Sequence, residues 1–392
     1  MGKCRVITAC LVAAFLAGCS GGASQGSFTG DTGRKITSAG EAMYRGGSER
    51  NGVYNHTGLA KLNGLKWKFT AGSLLNKYTG SLWIYSSVAV ADGIAYFGAG
   101  DGRMYAVDAQ SGELKWSFKS SRMYGGWFVS SPAVADGVVY IGCGDGFLYA
   151  LDAKSGAGLW KFDAEAEVAS SPAVVDGVVY FGDYKGTMYA ADARTGKINW
   201  RFDANGTVTS SPAVSGGVVF FGGRSSHVYA LDAKSGKEIW RFKAGKDVDS
   251  SPAVAGGMVY FGAADKHIYG VDAATGKEVW KFNAGHNVYS SPAVFNGFVI
   301  AGSWDGYLYA LDAATGAEKW KVKTKYRVDS APTIAGGVVY FGSGDKHIYA
   351  LELATGKELW RYQTGKEVRT SPAILDGMII TGSEDGSVYA LN

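Results

Sequence analysis

The sequence predicts an all-β fold, an eight-bladed β-propeller built from four-stranded antiparallel blades, and three observations predict it. All seven prolines, Pro132, Pro172, Pro212, Pro252, Pro292, Pro332 and Pro372, stand forty residues apart. One tryptophan recurs per unit, at Trp67, Trp116, Trp160, Trp200, Trp240, Trp280, Trp320 and Trp360. Within a unit, short runs rich in Val, Tyr and Phe alternate with Asp-Gly, Gly-Gly and Thr-Gly pairs, which is the patterning of strands joined by tight turns. Four short strands at a period of forty describe one propeller blade. No 3.6-residue period supports a helical solenoid. An eighth copy, SSVAVADGIAYFGAGDGRMYAVDAQSGELKW, carries Val88 in place of the proline.

In chain order, residues 1–18 read as a lipoprotein signal peptide. Lys3 and Arg5 form a basic start, and the apolar run over residues 6–16 is too short to span a bilayer comfortably. LAGC, residues 16–19, resembles the bacterial lipobox, which implies cleavage before Cys19 and a diacylglycerol on its thiol. Acyl chains contribute about 0.8 kcal/mol per buried CH2, so several together hold a protein on a membrane. Ser20 rather than Asp after the cysteine implies the outer membrane, with the protein at its periplasmic face. Residues 19–40, rich in Gly, Ser and Thr, read as a flexible tether, and residues 41–392 as the propeller.

Within each copy the strands are exemplified by VSSPAV, GVVYFG, HIYALD and EIWRF. The last copy stops at SVYALN without its fourth strand, while LKWKF, residues 65–69, stands ahead of the first copy. The N-terminal strand is therefore expected to complete the C-terminal blade and close the ring, which removes exposed sheet edges. Cys4 and Cys10 would leave with the signal peptide and Cys19 would be acylated, so Cys143 remains as one thiol and no disulfide is expected. Hydrophobic residues at 46% supply a large core. The net charge of +4 is spread singly along the chain, so nucleic acid is not an expected partner.

Eight copies in one chain can be compared with each other. The turns joining strands one to two and three to four are nearly uniform, and alternating strand direction puts both on one face of the disc. The opposite face carries the variation. Ahead of each first strand lies a triplet whose centre stays apolar while its flanks change: Trp83-Ile84-Tyr85, Trp127-Phe128-Val129, Glu167-Val168-Ala169, Thr207-Val208-Thr209, Asp247-Val248-Asp249, Asn287-Val288-Tyr289, Arg327-Val328-Asp329 and Glu367-Val368-Arg369. The turn between strands two and three varies at Tyr184, Arg224, Trp304 and Glu384, and the two longest connections add Tyr78 and Tyr124. Exposed aromatic and arginine side chains are the types enriched at protein interfaces. Tyr78, Trp83, Tyr85, Tyr124, Trp127, Arg224, Trp304, Arg327 and Arg369 are accordingly the candidate partner-binding residues.

Catalytic and metal-binding patterns are not evident. His227, His267 and His347 share one repeat position and so belong to different blades. The Asp of the Gly/Asp turns (Asp101, Asp145, Asp265, Asp305, Asp345 and Asp385) suits tight turns for local backbone reasons. Neither a nucleophile elbow nor a phosphate-binding glycine loop is present, and no metal or other cofactor is expected.

ALDAATGAEKW, residues 310–320, resembles the tryptophan-docking motif of the pyrroloquinoline quinone (PQQ) repeat family, as do GVDAATGKEVW and ALDAKSGKEIW, over about residues 60–392. The eight tryptophans are expected to pack between blades, each indole N–H finding a backbone acceptor. The resemblance extends to PQQ alcohol dehydrogenases, which carry an adjacent Cys-Cys pair, calcium ligands and a catalytic Asp. This chain has no Cys-Cys pair, and none of Glu167, Asp249 and Asp329 can be assigned as a base. The closer overall resemblance is to BamB-type lipoproteins: lipobox, tether and one eight-bladed propeller. That resemblance implies a noncatalytic scaffold whose protein partners are outer-membrane β-barrel assembly components, although the repeats here are unusually uniform. A small-ligand sensor or carrier using the central channel is the alternative, and a PQQ-dependent dehydrogenase the third.

Overall fold

A computed structural model describes residues 44–54, 56–72, 82–121 and 126–392. Cys19, Tyr78 and Tyr124, with the proposed signal peptide and tether, lie outside the described residues. The described strands form eight four-stranded antiparallel sheets, the blades of a propeller. The N-terminal strand β1 (Leu65–Thr70) comes first. Blade I follows as β2 (Ala89–Ala91), β3 (Ile94–Gly98), β4 (Arg103–Asp108) and β5 (Leu114–Lys119). Blades II to VII repeat this order as β6–β9 (133–163), β10–β13 (173–203), β14–β17 (213–243), β18–β21 (253–283), β22–β25 (293–323) and β26–β29 (333–363). Blade VIII has β30 (Ala373–Leu375), β31 (Met378–Gly382) and β32 (Ser387–Leu391), and β1 supplies its fourth strand, with Lys68 opposite Tyr389 and Phe69 opposite Val388. Ring closure by the N-terminal strand is thus as the repeat register predicts.

Local chemistry explains the strands. The turn between the first two strands of blade II places Asp136 and Gly137 at φ 51° and 70°, the doubly left-handed geometry that matches strand twist and favours Asp-Gly. Blade VI uses Asn296 and Gly297 at φ 48° and 76° in the same way. Strands two and three are almost wholly buried, as in β7 (Val138–Gly142), whereas fourth strands alternate and present an outer edge to solvent.

Three devices join the blades. Each repeat indole N–H donates to a main-chain carbonyl beyond its own blade, from Trp116 to Ala153 at 2.9 Å and so on around the ring to Trp320 and Leu353 at 2.9 Å. The glycine of the next blade's Ser/Thr-Gly turn lies flat on the ring: a Cβ on Gly156 would stand 2.6 Å from Trp116. Truncating such a buried Trp costs about 3–5 kcal/mol in general. Secondly, the last glycine of strand two receives the central apolar residue of the following triplet. A Cβ on Gly142 would meet the Val168 carbonyl at 2.3 Å, so only glycine allows the blades this approach. Thirdly, the residue before the repeat-proline position forms a collar: the N–H groups of Ser87, Ser131, Ser171, Ser211 and Ser251 each donate to the hydroxyl of the next copy at 2.9–3.0 Å, and Ser371, preceded by Thr370, closes back onto Ser87. Ala331 interrupts it.

The hub holds a feature for which the repeat pattern gives no indication. Ahead of β1 the chain runs through the centre of the ring, where the carbonyls of Ser48, Glu49, Asn51 and Gly52 accept the N–H groups of Val214, Val254, Val294 and Ile334 at 2.8–2.9 Å. These donors lie on the innermost strands of blades IV to VII. Arg50 is wholly buried and donates to the carbonyls of Ser171 and Pro172, both at 2.9 Å, and of Pro212. Arg45, also buried, donates to the Pro292 carbonyl. The segment then leaves the hub beneath blade VII, where Val53 bridges Ile334 and Tyr54 bonds its carbonyl. Leu59 accepts the Trp360 indole at 2.8 Å, standing in for the turn that blade VIII lacks.

Candidate interaction face

The variable face is built on a constant backbone. Each triplet's central residue is buried, from Ile84 at 1% to Val368 at 0% exposure, and its N–H bonds the preceding strand-two-to-three turn, as from Ile84 to Ser383 and from Val168 to Cys143. Anchoring that residue frees its two neighbours to vary.

Across blades VI, VII, VIII and I these neighbours join into one network. Trp83 stacks on Tyr85 with centroids 4.4 Å apart, and the Arg369 guanidinium lies 5.5 Å from the Tyr85 ring. Arg369 pairs with Glu384 at 2.7 Å and with Glu367 at 2.9 Å. Glu367 also binds Arg327 at 3.0 Å, and Arg327 pairs with Asp329 at 3.0 Å. The Trp304 indole donates to Asp329, and Tyr289 meets Trp304 edge-on at 4.9 Å. Arg327 completes the run, its guanidinium 5.1 Å from the Trp304 ring and 5.3 Å from that of Tyr326.

Burial and pairing set the charges. Burial works to raise the Glu367 pKa, but its bonds to Arg369 and Arg327 outweigh that and hold the carboxyl below its usual range. At Asp329 burial prevails and the pKa is raised, against the pull of the Trp304 indole and of Arg327 and Arg369.

The other candidates lie apart from this network on the same face. Trp127 is 39% exposed and its indole reaches Glu167 at 3.4 Å. Arg224 pairs with Asp249 at 3.0 Å, and Thr209 bonds the same carboxylate. The structure therefore brings Trp83, Tyr85, Trp304, Arg327 and Arg369 together, and leaves Trp127 and Arg224 in separate pairs. Tyr289, Tyr326 and Asp329 belong to the network although sequence reasoning did not select them as partner-binding. Their signal was present, because Tyr326 falls in a five-residue run unlike its counterparts in the other copies. Arg45 and Arg50 carried no such signal, since their acceptors lie more than a hundred residues away.

The turn aspartates are engaged in the fold: Tyr149, Tyr269, Tyr309 and Tyr349 donate to Asp145, Asp265, Asp305 and Asp345 at 2.6–2.7 Å. The rings of His227, His267 and His347 each turn Nδ1 toward a carbonyl two residues earlier. Among the described residues no three His, Cys, Asp or Glu side chains are grouped to hold a metal ion. The hub segment is bonded to the innermost strands of blades IV to VII.

A family model described as outer membrane protein assembly factor BamB matches residues 60–143, 100–212, 185–288 and 265–392. Among solved structures, BamB from Moraxella catarrhalis is 20% identical, with 84% of this chain and 97% of that one covered and a TM-score of 0.69. The quinohemoprotein alcohol dehydrogenase from Comamonas testosteroni is 18% identical over 88% of this chain and 79% of that one, with a TM-score of 0.74. The computationally designed Ika8 protein is 21% identical over 80% and 97%, at 0.70. At such identities the likeness is one of fold. No curated protein matches the chain.

Proposed function

The chain belongs to the family of the outer membrane protein assembly factor BamB, and from that premise we propose that it is a noncatalytic scaffold that binds a protein partner through its variable face. The reading includes lipid anchoring at Cys19, a periplasmic position at the outer membrane, and β-barrel assembly components as partners.

One observation carries it. On a scaffold whose eight copies are otherwise nearly uniform, the side chains that differ are coupled to each other across four blades. Independent drift at exposed turns would scatter unrelated residues; here aromatic rings and arginines hold one another in fixed positions before a partner arrives, which lowers the ordering cost of binding. The hub segment weighs against a ligand seated among blades IV to VII, because the inner-strand N–H groups there are already taken by its carbonyls.

Affinity purification from detergent-solubilised envelopes, followed by mass spectrometry, tests the reading. The intact protein is expected to retain barrel-assembly components, and Trp83→Ala/Arg369→Ala to lose them while keeping its circular dichroism spectrum and a cooperative unfolding transition. Loss of two interface anchors typically weakens binding by roughly 2 kcal/mol or more. Equal recovery by both proteins would remove this face as the docking surface. Alcohol oxidation on addition of PQQ and calcium would overturn the noncatalytic assignment.

A further inference from the structure

Between blades VI and VII, at the end of the network, lies a cavity of about 360 Å³ whose lining includes His286, Trp304, Lys323, Lys325, Tyr326 and Arg327. We propose that this cavity receives an acidic peptide segment of the protein partner, with an apolar or aromatic side chain of that segment seated against Trp304 and Tyr326. The inference rests on the reading that this face binds a protein, and adds the chemistry of what docks there.

Comparison of the copies supplies the first argument. Residues 323–327 read Lys-Thr-Lys-Tyr-Arg. The corresponding residues read Asp-Ala-Glu-Ala-Glu at 163–167, Asp-Ala-Asn-Gly-Thr at 203–207, Lys-Ala-Gly-Lys-Asp at 243–247, Asn-Ala-Gly-His-Asn at 283–287 and Gln-Thr-Gly-Lys-Glu at 363–367. The connection from blade VI to blade VII alone among them combines three cations with an aromatic ring. It does so opposite Trp304, where the other strand-two-to-three turns carry Gly, Tyr, Arg, Ala or Glu. Both departures from the repeat therefore meet at one cavity.

Geometry supplies the second. The Arg327 guanidinium faces both Trp304 and Tyr326, so the aromatic floor is held in place. Tyr326, 51% exposed, packs on Gly344, where a Cβ would stand 2.4 Å from its ring; glycine there preserves the Tyr326 position. Lys323 bonds the main-chain carbonyl of Asp305 and sits 4.1 Å from the Tyr307 ring centroid. Among the described residues neither Lys323 nor Lys325 pairs its ammonium with a carboxylate, and both are exposed. The one carboxylate in the lining, Asp305, is taken up by the Tyr309 hydroxyl and the Tyr307 N–H.

The arrangement favours successive carboxylates over phosphate. Phosphate is best held by a guanidinium fork, and Arg327 already faces two carboxylates, hydrogen-bonding Glu367 and lying 3.0 Å from Asp329, which repel a further anion there. What remains is two lysine point charges beside an aromatic surface, which matches carboxylates flanking a hydrophobic side chain.

The test uses the whole protein and a fluorescein-labelled peptide Glu-Asp-Phe-Glu-Asp, read by anisotropy, with inorganic phosphate and phosphatidylglycerol vesicles as competitors. The wild type is expected to bind the peptide, more weakly as salt rises, with a change in tryptophan emission. Lys323→Glu/Lys325→Glu should lose about tenfold or more in affinity, and Tyr326→Ala several-fold, with melting temperatures unchanged. No peptide binding, an unaltered affinity in the lysine variant, or displacement by phosphate or vesicles at lower concentration than by unlabelled peptide would each overturn the inference. The lysine variant is also carried through envelope purification. If it recovers partners as fully as the wild type, the cavity is not their docking point and the scaffold reading stands. If the wild type recovers no partner, the scaffold reading fails first.

Discussion

Asp312 and Asp329 are seventeen positions apart, and their surroundings shift them in opposite directions. Asp312 caps the turn between the third and fourth strands of blade VI: Lys319 reaches it at 2.9 Å, and Thr315 bonds it through both N–H and hydroxyl at 3.0 Å, lowering its pKa to about 2. Because the folded form favours the ionised carboxyl, this contribution to stability is complete above its ordinary range near 4 and is lost as pH falls toward 2. Asp329 is largely buried with a raised pKa, so its ionisation opposes folding and protonation on acidification relieves that cost. Site-resolved carboxyl titration by NMR should find Asp312 still ionised at pH 3, with Asp329 protonating at higher pH. Asp312→Asn should show a smaller loss of stability than wild type between pH 4 and pH 2; an identical acid limb would refute the assignment.

The Ser-Ser-Pro segment shows how one short strand does several things at once. Its first hydroxyl closes the end of strand two in the same blade, as Ser170 does for the Gly182 N–H at 2.7 Å, and its second receives an N–H from the preceding blade. Blade VII has Ser330-Ala331-Pro332, so the Ser291 N–H lacks the hydroxyl that its counterparts meet. Ala331→Ser should supply it and raise stability by about 0.5–1.5 kcal/mol, read as a shift in urea midpoint. A destabilised variant would mean that blade VII has repacked around alanine. These elements were legible because repetition makes each copy a control for the others: period, turn residues, docking tryptophans and the closing strand all follow from spacing. The variable face was legible as a location for the same reason. Its internal order was not, since ion pairing among Arg327, Glu367 and Arg369 joins different copies through rotamers that spacing does not specify. Within residues 41–64, which the sequence places in the propeller, nothing signals the hub segment, because carbonyl acceptors belong to the backbone and leave no mark on residue type.

At the level of the complete ring, closure has two parts. One is at the rim, where β1 pairs with β32; the other is at the hub, where residues 48–52 bond four successive blades. Arg50 is central to the second, and replacing it with Ala removes bonds to three carbonyls in a buried site. Arg50→Ala should lower stability by about 1.5–3 kcal/mol in urea denaturation, with Arg50→Lys intermediate because a lysine cannot span the same carbonyls. Unchanged stability in both variants would show the hub segment to be a passenger.

Such closure also dictates an order in time. Residues 48–52 need blades IV to VII, and β1 needs β32, the last of the propeller's strands in sequence order. Contacts that span most of the sequence form slowly, and the unpaired edge of β32 stays open to other strands until they do. The part of the propeller synthesised first is therefore the part that must wait longest to fold.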